Sequence, residues 1–98
     1  MKQPAPKAIG YRLTLFVVAE DPNSRLAEEN LRHICAEYLV GGHCEIVIVD
    51  VLEDFQTALD FQVLVTPTLI VDGPRGRSTL LGNLSDIDRI VLTLGSKS

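Results

Sequence analysis

Two short apolar segments, separated by a stretch of helical pattern, restrict the folds open to this chain more than any other feature. Residues 11–19 (YRLTLFVVA) and 44–51 (CEIVIVDV) are β-branched and apolar on both faces, which is typical of central strands covered on both sides. The residues between them carry apolar side chains at helical spacing, at Ala27, Leu31, Ile34 and Tyr38. A connection of one helix joins parallel strands. The sequence therefore predicts a strand, a crossover helix and a parallel strand.

The limits of this first helix are marked by its flanking residues. At its start, the segment EDPNS contains Pro22, which suits a first helical turn, and three residues that can cap a helix, Asp21, Asn23 and Ser24. At its end, the glycine pair 41–42 predicts termination.

The second half of the chain predicts a helix and a hairpin. Residues 53–61 (EDFQTALDF) favour a short helix, which Asp54 can cap and in which Phe55, Ala58 and Leu59 share one face. The segment VLVTPTLIVDG, which begins at residue 63, predicts a third strand. The segment DGPRG (72–76) predicts a turn, because glycine and proline interrupt strands, and residues 77–81 predict the partner strand.

A last helix completes the predicted layout. Ser85 can cap the segment DIDRIVLTLG, whose apolar residues again have helical spacing. The predicted order is βαβαββα, an α/β thioredoxin-like layout with a four-stranded mixed sheet. Residues 10–98 are expected to form a single domain and residues 1–9 a flexible tail. The strands at 44–51 and 77–81 are expected at the two outer edges, where backbone groups can pair with a partner.

Pro67 divides the third apolar segment, which would otherwise be one uninterrupted strand. Proline donates no ladder hydrogen bond and is normally excluded from central strands. An X–Pro bond can adopt the cis form at a modest cost. In thioredoxins a Pro-Thr at the head of a strand is preceded by such a cis bond and faces the redox dithiol. We therefore predict that Pro67 starts a strand and that the Thr66–Pro67 bond is cis.

The composition limits the partners of the protein. The 98 residues include nine basic and thirteen acidic side chains, for a net charge of −4. This balance disfavours nucleic acids and anionic membranes, which require a concentrated basic patch. No apolar run approaches membrane-spanning length and the first residues lack the apolar core of a signal peptide, so a cytoplasmic protein is expected.

The sequence offers no catalytic or metal-binding constellation, so no catalytic residue, metal or cofactor is expected. Thioredoxins carry their dithiol where this chain has EDPNS, and without a thiolate there, disulfide exchange has no nucleophile. Cys35 and Cys44 are interpreted as buried thiols rather than a disulfide or zinc site. His33 and His43 are interpreted as surface imidazoles. The segment GPRGR precedes a strand rather than a helix, so it is interpreted as a hairpin turn and not as a phosphate loop.

Four ordered segments, AEDPNS, VDVLED, VTPTL and GNLS, give the chain a resemblance to the KaiB family of circadian-clock proteins. The family's Pro-Asn-Ser helix start is matched by residues 22–24, its acidic strand end by residues 50–52 and its TPTL by residues 66–69. Its Gly-acidic-Leu-Ser segment is matched by residues 82–85, except that Asn83 replaces the acid. Glu53 also departs, because clock members commonly carry a basic residue there, and Phe55 stands where they carry proline.

The resemblance implies a non-catalytic protein that binds a KaiC-type ATPase and helps to regulate its phosphorylation rhythm. A KaiA-like protein or a sensor histidine kinase is a further implied partner. The family also switches fold between an oligomeric resting form with a rearranged second half and a thioredoxin-like binding form. We expect this chain to favour the thioredoxin-like form and to be largely monomeric; the alternatives are the resting fold and a dimer or tetramer.

Ten residues are candidate protein-binding positions on these grounds: Pro22, Asn23, Ser24, Asp50, Glu53, Asp54, Thr66, Pro67, Arg75 and Arg77. The alternative function is a thioredoxin-like protein without a CxxC motif that acts in stress or sensor-kinase signalling. A redox enzyme is the least favoured reading.

Overall fold

The computed structural model describes residues 10–38, 43–74 and 76–85. These residues form six elements: β1 (Gly10–Val17), α1 (Pro22–Tyr38), β2 (His43–Asp50), α2 (Phe55–Asp60), β3 (Thr68–Gly73) and β4 (Gly76–Leu81). The predicted tail at 1–9, the glycine pair at 41–42 and the helix expected after Ser85 lie outside the described residues. No helix within the described ranges is long and apolar enough to cross a membrane.

The four strands form one mixed sheet in the order β2-β1-β3-β4. β1 is parallel to β2, with Gly10 opposite His43 and Val17 opposite Asp50, and antiparallel to β3. β3 and β4 form an antiparallel hairpin. The predicted α/β class, thioredoxin-like order and outer positions of β2 and β4 are confirmed.

α1 covers one face of the sheet with the stripe that the sequence predicted. Its Ala27, Leu31 and Ile34 are fully buried against alternate residues of β1 and β3, including Leu13 and Leu69. Successive side chains of a strand point to opposite faces, so the odd-numbered residues of β1 face α1. Burial of this stripe is what holds the crossover helix against the sheet.

A smaller core lies on the other face of the sheet, beneath α2. Phe16, Val49 and Ile70 project from the sheet and pack with Ala58 of α2. The ring of Phe61, which follows α2, lies 5.4 Å from that of Phe16 in a tilted arrangement. α2 has six residues and buries only Ala58, so it covers this face less completely than α1 covers the first.

The third strand is shorter at its start than the segment from residue 63 predicted. β3 begins at Thr68, and residues 63–66 form a loop. At the start of this loop, the backbone N–H of Val63 is still hydrogen-bonded to the Ala58 carbonyl of α2 (2.9 Å). Pro67 cannot donate to a ladder, so the strand starts after it. The predicted turn at 72–76 is also shorter, since β3 extends to Gly73 and β4 begins at Gly76.

Candidate functional site: an apolar groove at one end of the sheet

The start of α1 lies at the end of the sheet where β1 finishes. Asp21 precedes the helix, and its carboxylate accepts hydrogen bonds from the Asn23 N–H (3.3 Å) and the Ser24 hydroxyl (3.4 Å). Ser24 is buried, and its Oγ accepts from the Val18 N–H (3.1 Å). Pro22 and Asn23 remain exposed. Of the three predicted binding residues here, Ser24 holds the helix to the strand and the other two face outward.

The Thr66–Pro67 bond is cis, as predicted. Pro67 is buried, and its carbonyl accepts from the Gly82 N–H (3.0 Å), which ties the head of β3 to the end of β4. The hydroxyl of Thr68 donates to the Val65 carbonyl (2.6 Å) and fixes the loop that precedes the proline.

Asn83 joins this region to α1, a role that the sequence did not indicate beyond its departure from the family pattern. The amide of Asn30 donates to the Asn83 carbonyl (2.8 Å), and the Asn83 side-chain amide donates to Asn23 Oδ1 (3.5 Å). Asn83 Oδ1 also accepts from the Ser85 N–H (3.1 Å). Asn23 and the segment after β4 are therefore in contact across the end of the sheet.

An open groove of about 300 Å³ lies beside α2 at the same end of the sheet. This α2 groove is lined by Val51, Leu52, Phe55, Ala58, Leu59, Val63, Leu64, Val65 and Thr66. Several of its apolar side chains face solvent: Leu64 is 93% exposed, Leu52 75% and Phe55 65%. A contiguous apolar surface of this kind is typical of an interaction site.

The short length of α2 explains why these side chains are exposed. Asp54 caps the helix by accepting from the Thr57 N–H (3.2 Å) and hydroxyl (2.8 Å), which confirms its predicted role. Phe55 and Leu59 were predicted to share a face with Ala58. Only Ala58 reaches the sheet, however, and the other two lie along the groove.

The predicted charged residues divide between two places. Asp50 and Glu53 lie at the groove, where Asp50 Oδ1 accepts from the Leu52 N–H (2.9 Å). Arg77 instead pairs with Asp72 (2.6 Å), and its guanidinium lies 4.9 Å from the centre of the Phe61 ring. Arg75 lies outside the described residues.

The two cysteines lie far from the cis proline. Cys44 is opposite Tyr11 near the start of β1, whereas the proline precedes Thr68, which is opposite Phe16 near its end. Both thiols are free, as predicted, but they are half-buried rather than buried. Burial raises the pKa of Cys35 from its usual 9.0 to about 12, and a hydrogen bond to Cys44 and that residue's charge act in the same direction, while Arg32 lowers it.

The described residues also offer few side chains that could bind a metal ion together. No group of three histidine, cysteine or acidic side chains is gathered within residues 10–38, 43–74 and 76–85. His33 is exposed on α1, as predicted, and the side chain of His43 lies outside the described part.

The described residues therefore define a protein of thioredoxin-like fold whose cis proline has no dithiol beside it and which carries an open apolar groove beside α2. The sequence matches the family model of the KaiB domain over residues 14–96. The chain belongs to the KaiB family.

Comparison with individual proteins agrees with this assignment. The chain is 34% identical over 82 residues to the circadian clock protein KaiB3 of Synechocystis. The aligned region covers 84% of this chain and 79% of that protein. It is 34% identical over 84 residues to the circadian clock oscillator protein KaiB of a Synechococcus species, covering 86% and 76%.

Solved structures agree with the fold. The N-terminal domain of SasA from Synechococcus elongatus superposes with a TM-score of 0.76 at 24% identity, over 96% of this chain and 88% of that one. Mitochondrial thioredoxin 3 from Saccharomyces cerevisiae gives a TM-score of 0.69 at 15% identity, over 86% and 78%. These likenesses concern the fold alone.

Proposed function

We propose that this protein is a non-catalytic, cytoplasmic binding module that docks onto a KaiC-type ATPase and helps to regulate its phosphorylation rhythm. The observation that carries the proposal is the α2 groove, an exposed apolar surface in a chain of the KaiB family. Burying a few large apolar side chains is the usual source of affinity at such a surface.

The candidate residues support docking at this end of the sheet. Thr66 lines the groove, and Asp50, Glu53 and Asp54 are neighbours in sequence of residues that line it. Pro22 and Asn23 are exposed at the same end, because α1 begins where β1 ends. We propose that these positions border the contact, whereas Ser24 and Pro67, both buried, shape it from beneath.

Arg77 and Arg75 have a separate place in the proposal. Arg77 is a residue of the outer strand β4, and its side chain is engaged with Asp72 and Phe61 on the α2 side of the sheet. An outer strand can pair with a strand of a second partner. We assign this edge, together with the opposite edge at β2, to the KaiA-like protein or sensor histidine kinase that the family resemblance implies.

The test is binding of the purified chain to the KaiC-type ATPases of its organism, measured with ATP and with ADP. The variant Phe55→Ser/Leu64→Ser removes two groove side chains without adding charge, and we expect affinity to fall by roughly thirtyfold or more, as for interface hot spots. Leu26→Ser, at a half-exposed leucine of α1, is the matched control and should bind like the parent chain.

Two outcomes would overturn the proposal. One is failure of the parent chain to bind any KaiC-type ATPase with either nucleotide; the other is equal loss of affinity in the groove variant and the control.

Sensor-kinase signalling is the second candidate, and the fold likeness to the SasA N-terminal domain is consistent with it. The same measurement against the sensor histidine kinases of the organism distinguishes it from ATPase binding. A redox enzyme would reduce insulin in the presence of dithiothreitol, and we expect no turnover above background.

A further inference from the structure

The stretch of chain that builds the α2 groove carries negative charge only. From Glu45 to Asp72 there are six carboxylates and no lysine, arginine or histidine. The two outermost are neutralised, because Glu45 pairs with Arg12 (3.4 Å) and Asp72 with Arg77 (2.6 Å). The four that remain, Asp50, Glu53, Asp54 and Asp60, are neighbours in sequence of residues that line the groove.

These four carboxylates alternate with the groove side chains along the sequence. Asp50 directly precedes Val51, Glu53 and Asp54 lie between Leu52 and Phe55, and Asp60 follows Leu59. Each is thus within one or two residues of the apolar surface.

None of the four carboxylates is neutralised by a cation within the described residues. Asp50 and Asp54 accept backbone N–H groups, and Asp60 accepts the side-chain amide of Gln56 (3.0 Å). These donors are neutral, so they bring no positive charge to the groove.

An apolar surface that is bordered by charges of a single sign selects its binding partner by charge as well as by shape. Low-polarity walls concentrate the field of nearby charges, and like charges brought together at an interface cost affinity. We propose that the groove binds an apolar segment of the partner protein that is flanked by lysine or arginine side chains. This proposal rests on the proposed function, in which the groove docks a protein.

The same charges argue against other occupants. Nucleic acids and anionic lipids would bring phosphates against four carboxylates. A second copy of this chain, docked groove to groove, would place the two acidic rims together.

The probe is a pair of designed helical peptides with the same leucine and phenylalanine face, one bearing lysine and the other glutamate on the polar face. Binding to the full chain is measured by fluorescence anisotropy of the labelled peptides. We expect the lysine peptide to bind about tenfold more tightly or better, and this preference to shrink between about 50 and about 500 mM salt as the charges are screened.

Matched variants separate the local rim from the overall charge of −4. Glu53→Gln/Asp60→Asn removes two groove charges and should weaken the lysine peptide several-fold. Glu29→Gln/Glu37→Gln removes two exposed carboxylates of α1 and should leave its affinity unchanged. Phe55→Ser/Leu64→Ser should weaken both peptides.

The inference fails if the two peptides bind equally, or if the α1 pair weakens the lysine peptide as much as the groove pair does. It is also overturned if the groove variant binds both peptides like the parent chain. None of these results depends on the ATPase: a lysine preference without ATPase binding would remove only the proposed function, and ATPase binding without that preference would remove only this inference.

Discussion

Gly73 at the end of β3 lies under the ring of Tyr11 on the neighbouring strand. A Cβ built on this glycine would approach two ring carbons of Tyr11 to 2.6 and 2.7 Å, closer than real carbon contacts. The glycine therefore lets the aromatic ring lie against the backbone of β3.

We predict that Gly73→Ala lowers the free energy of unfolding by about 1–3 kcal/mol, as overpacking typically does. Gly10→Ala is the matched control, because no atom lies within 4 Å of its added Cβ, and it should change stability by no more than about 0.5 kcal/mol. Urea denaturation measures both. Equal effects of the two variants, or an undiminished cost of Gly73→Ala in a Tyr11→Ala background, would contradict the steric explanation.

The pKa of the Cys35 thiol differs between the folded and the unfolded chain. Its pKa is raised to about 12 by burial in the folded state, against 9.0 ordinarily. Between these values the unfolded state binds fewer protons than the folded state, so this contribution to stability is complete below pH 9 and is lost as the pH rises toward 12.

In a Cys44→Ser chain, Cys35 is the sole thiol. This change removes the contributions of Cys44 but keeps burial, the largest cause of the raised pKa of Cys35. We predict that iodoacetamide alkylates it at pH 8 at least about tenfold more slowly in buffer than in concentrated urea, because the thiolate is the nucleophile. Between pH 9 and 10 the rate in buffer should rise several-fold, whereas in urea it should rise by about twofold or less, because a thiol with a pKa of 9.0 is already half ionised at pH 9. An inflection near pH 9 in buffer would show that the folded thiol titrates normally.

Single residues also show how far the sequence could predict the candidate site. Asp21, Asp54 and Pro67 were predictable because caps and X–Pro bonds act within a few residues. Ser24 was also expected to be able to cap α1, but its hydroxyl oxygen instead accepts a hydrogen bond from the Val18 N–H. Leu52 and Leu64 were not, because an apolar side chain destined for the surface has the same pattern as one destined for the core. Asn83 was missed because its partner Asn30 is distant in sequence.

Among the elements, α2 depends most on local interactions. It has six residues and buries only Ala58, so tertiary packing contributes less to it than to α1. The Asp54 cap is consequently a large share of what holds Phe55 and Leu59 in place along the groove.

We predict that Asp54→Ala lowers the free energy of unfolding by about 0.5–2 kcal/mol, the usual cost of losing a cap. Asp54→Asn should retain most of the stability, since an amide oxygen can also accept from the Thr57 N–H. Asp60→Ala, which removes the same charge from the other end of α2, is the control and should cost less. Denaturant titration gives the values, and indistinguishable losses for Asp54→Ala and Asp60→Ala would refute the capping role.

The elements of the first half were predictable for a different reason from those of the second. The segments of β1 and β2 are apolar on both faces, α1 has apolar residues at helical spacing, and these patterns survive in the fold. Residues 63–65 have the composition of a strand but lie in a loop, because α2 extends its hydrogen bonding to Val63 and Pro67 delays the ladder. Whether residues 63–65 join α2 or β3 depends on both neighbouring elements, so it cannot be predicted from the composition of these residues alone.

At the scale of the whole molecule, the described residues already form the thioredoxin-like sheet, with β3 and β4 paired along their full length. We predict a largely monomeric protein, near 10.7 kDa, in sedimentation at micromolar concentration. This follows because the oligomeric resting form that the family resemblance implies has a rearranged second half. A single stable tetramer would contradict the prediction, and the variant Phe55→Ser/Leu64→Ser tests whether any weak association uses the α2 groove.

The position of β1 in the sheet affects how the chain can fold while it is being synthesised. Among the described strands, β1 is the first in chain order but lies inside the sheet, with β2 on one side and β3 on the other. When residue 50 has left the ribosome, β1 and β2 can pair, yet the other edge of β1 stays open until the residues of β3 emerge. An open, apolar strand edge is prone to pair with other chains. A nascent or truncated chain that stops before β3 should therefore be the species of this protein that most needs a chaperone.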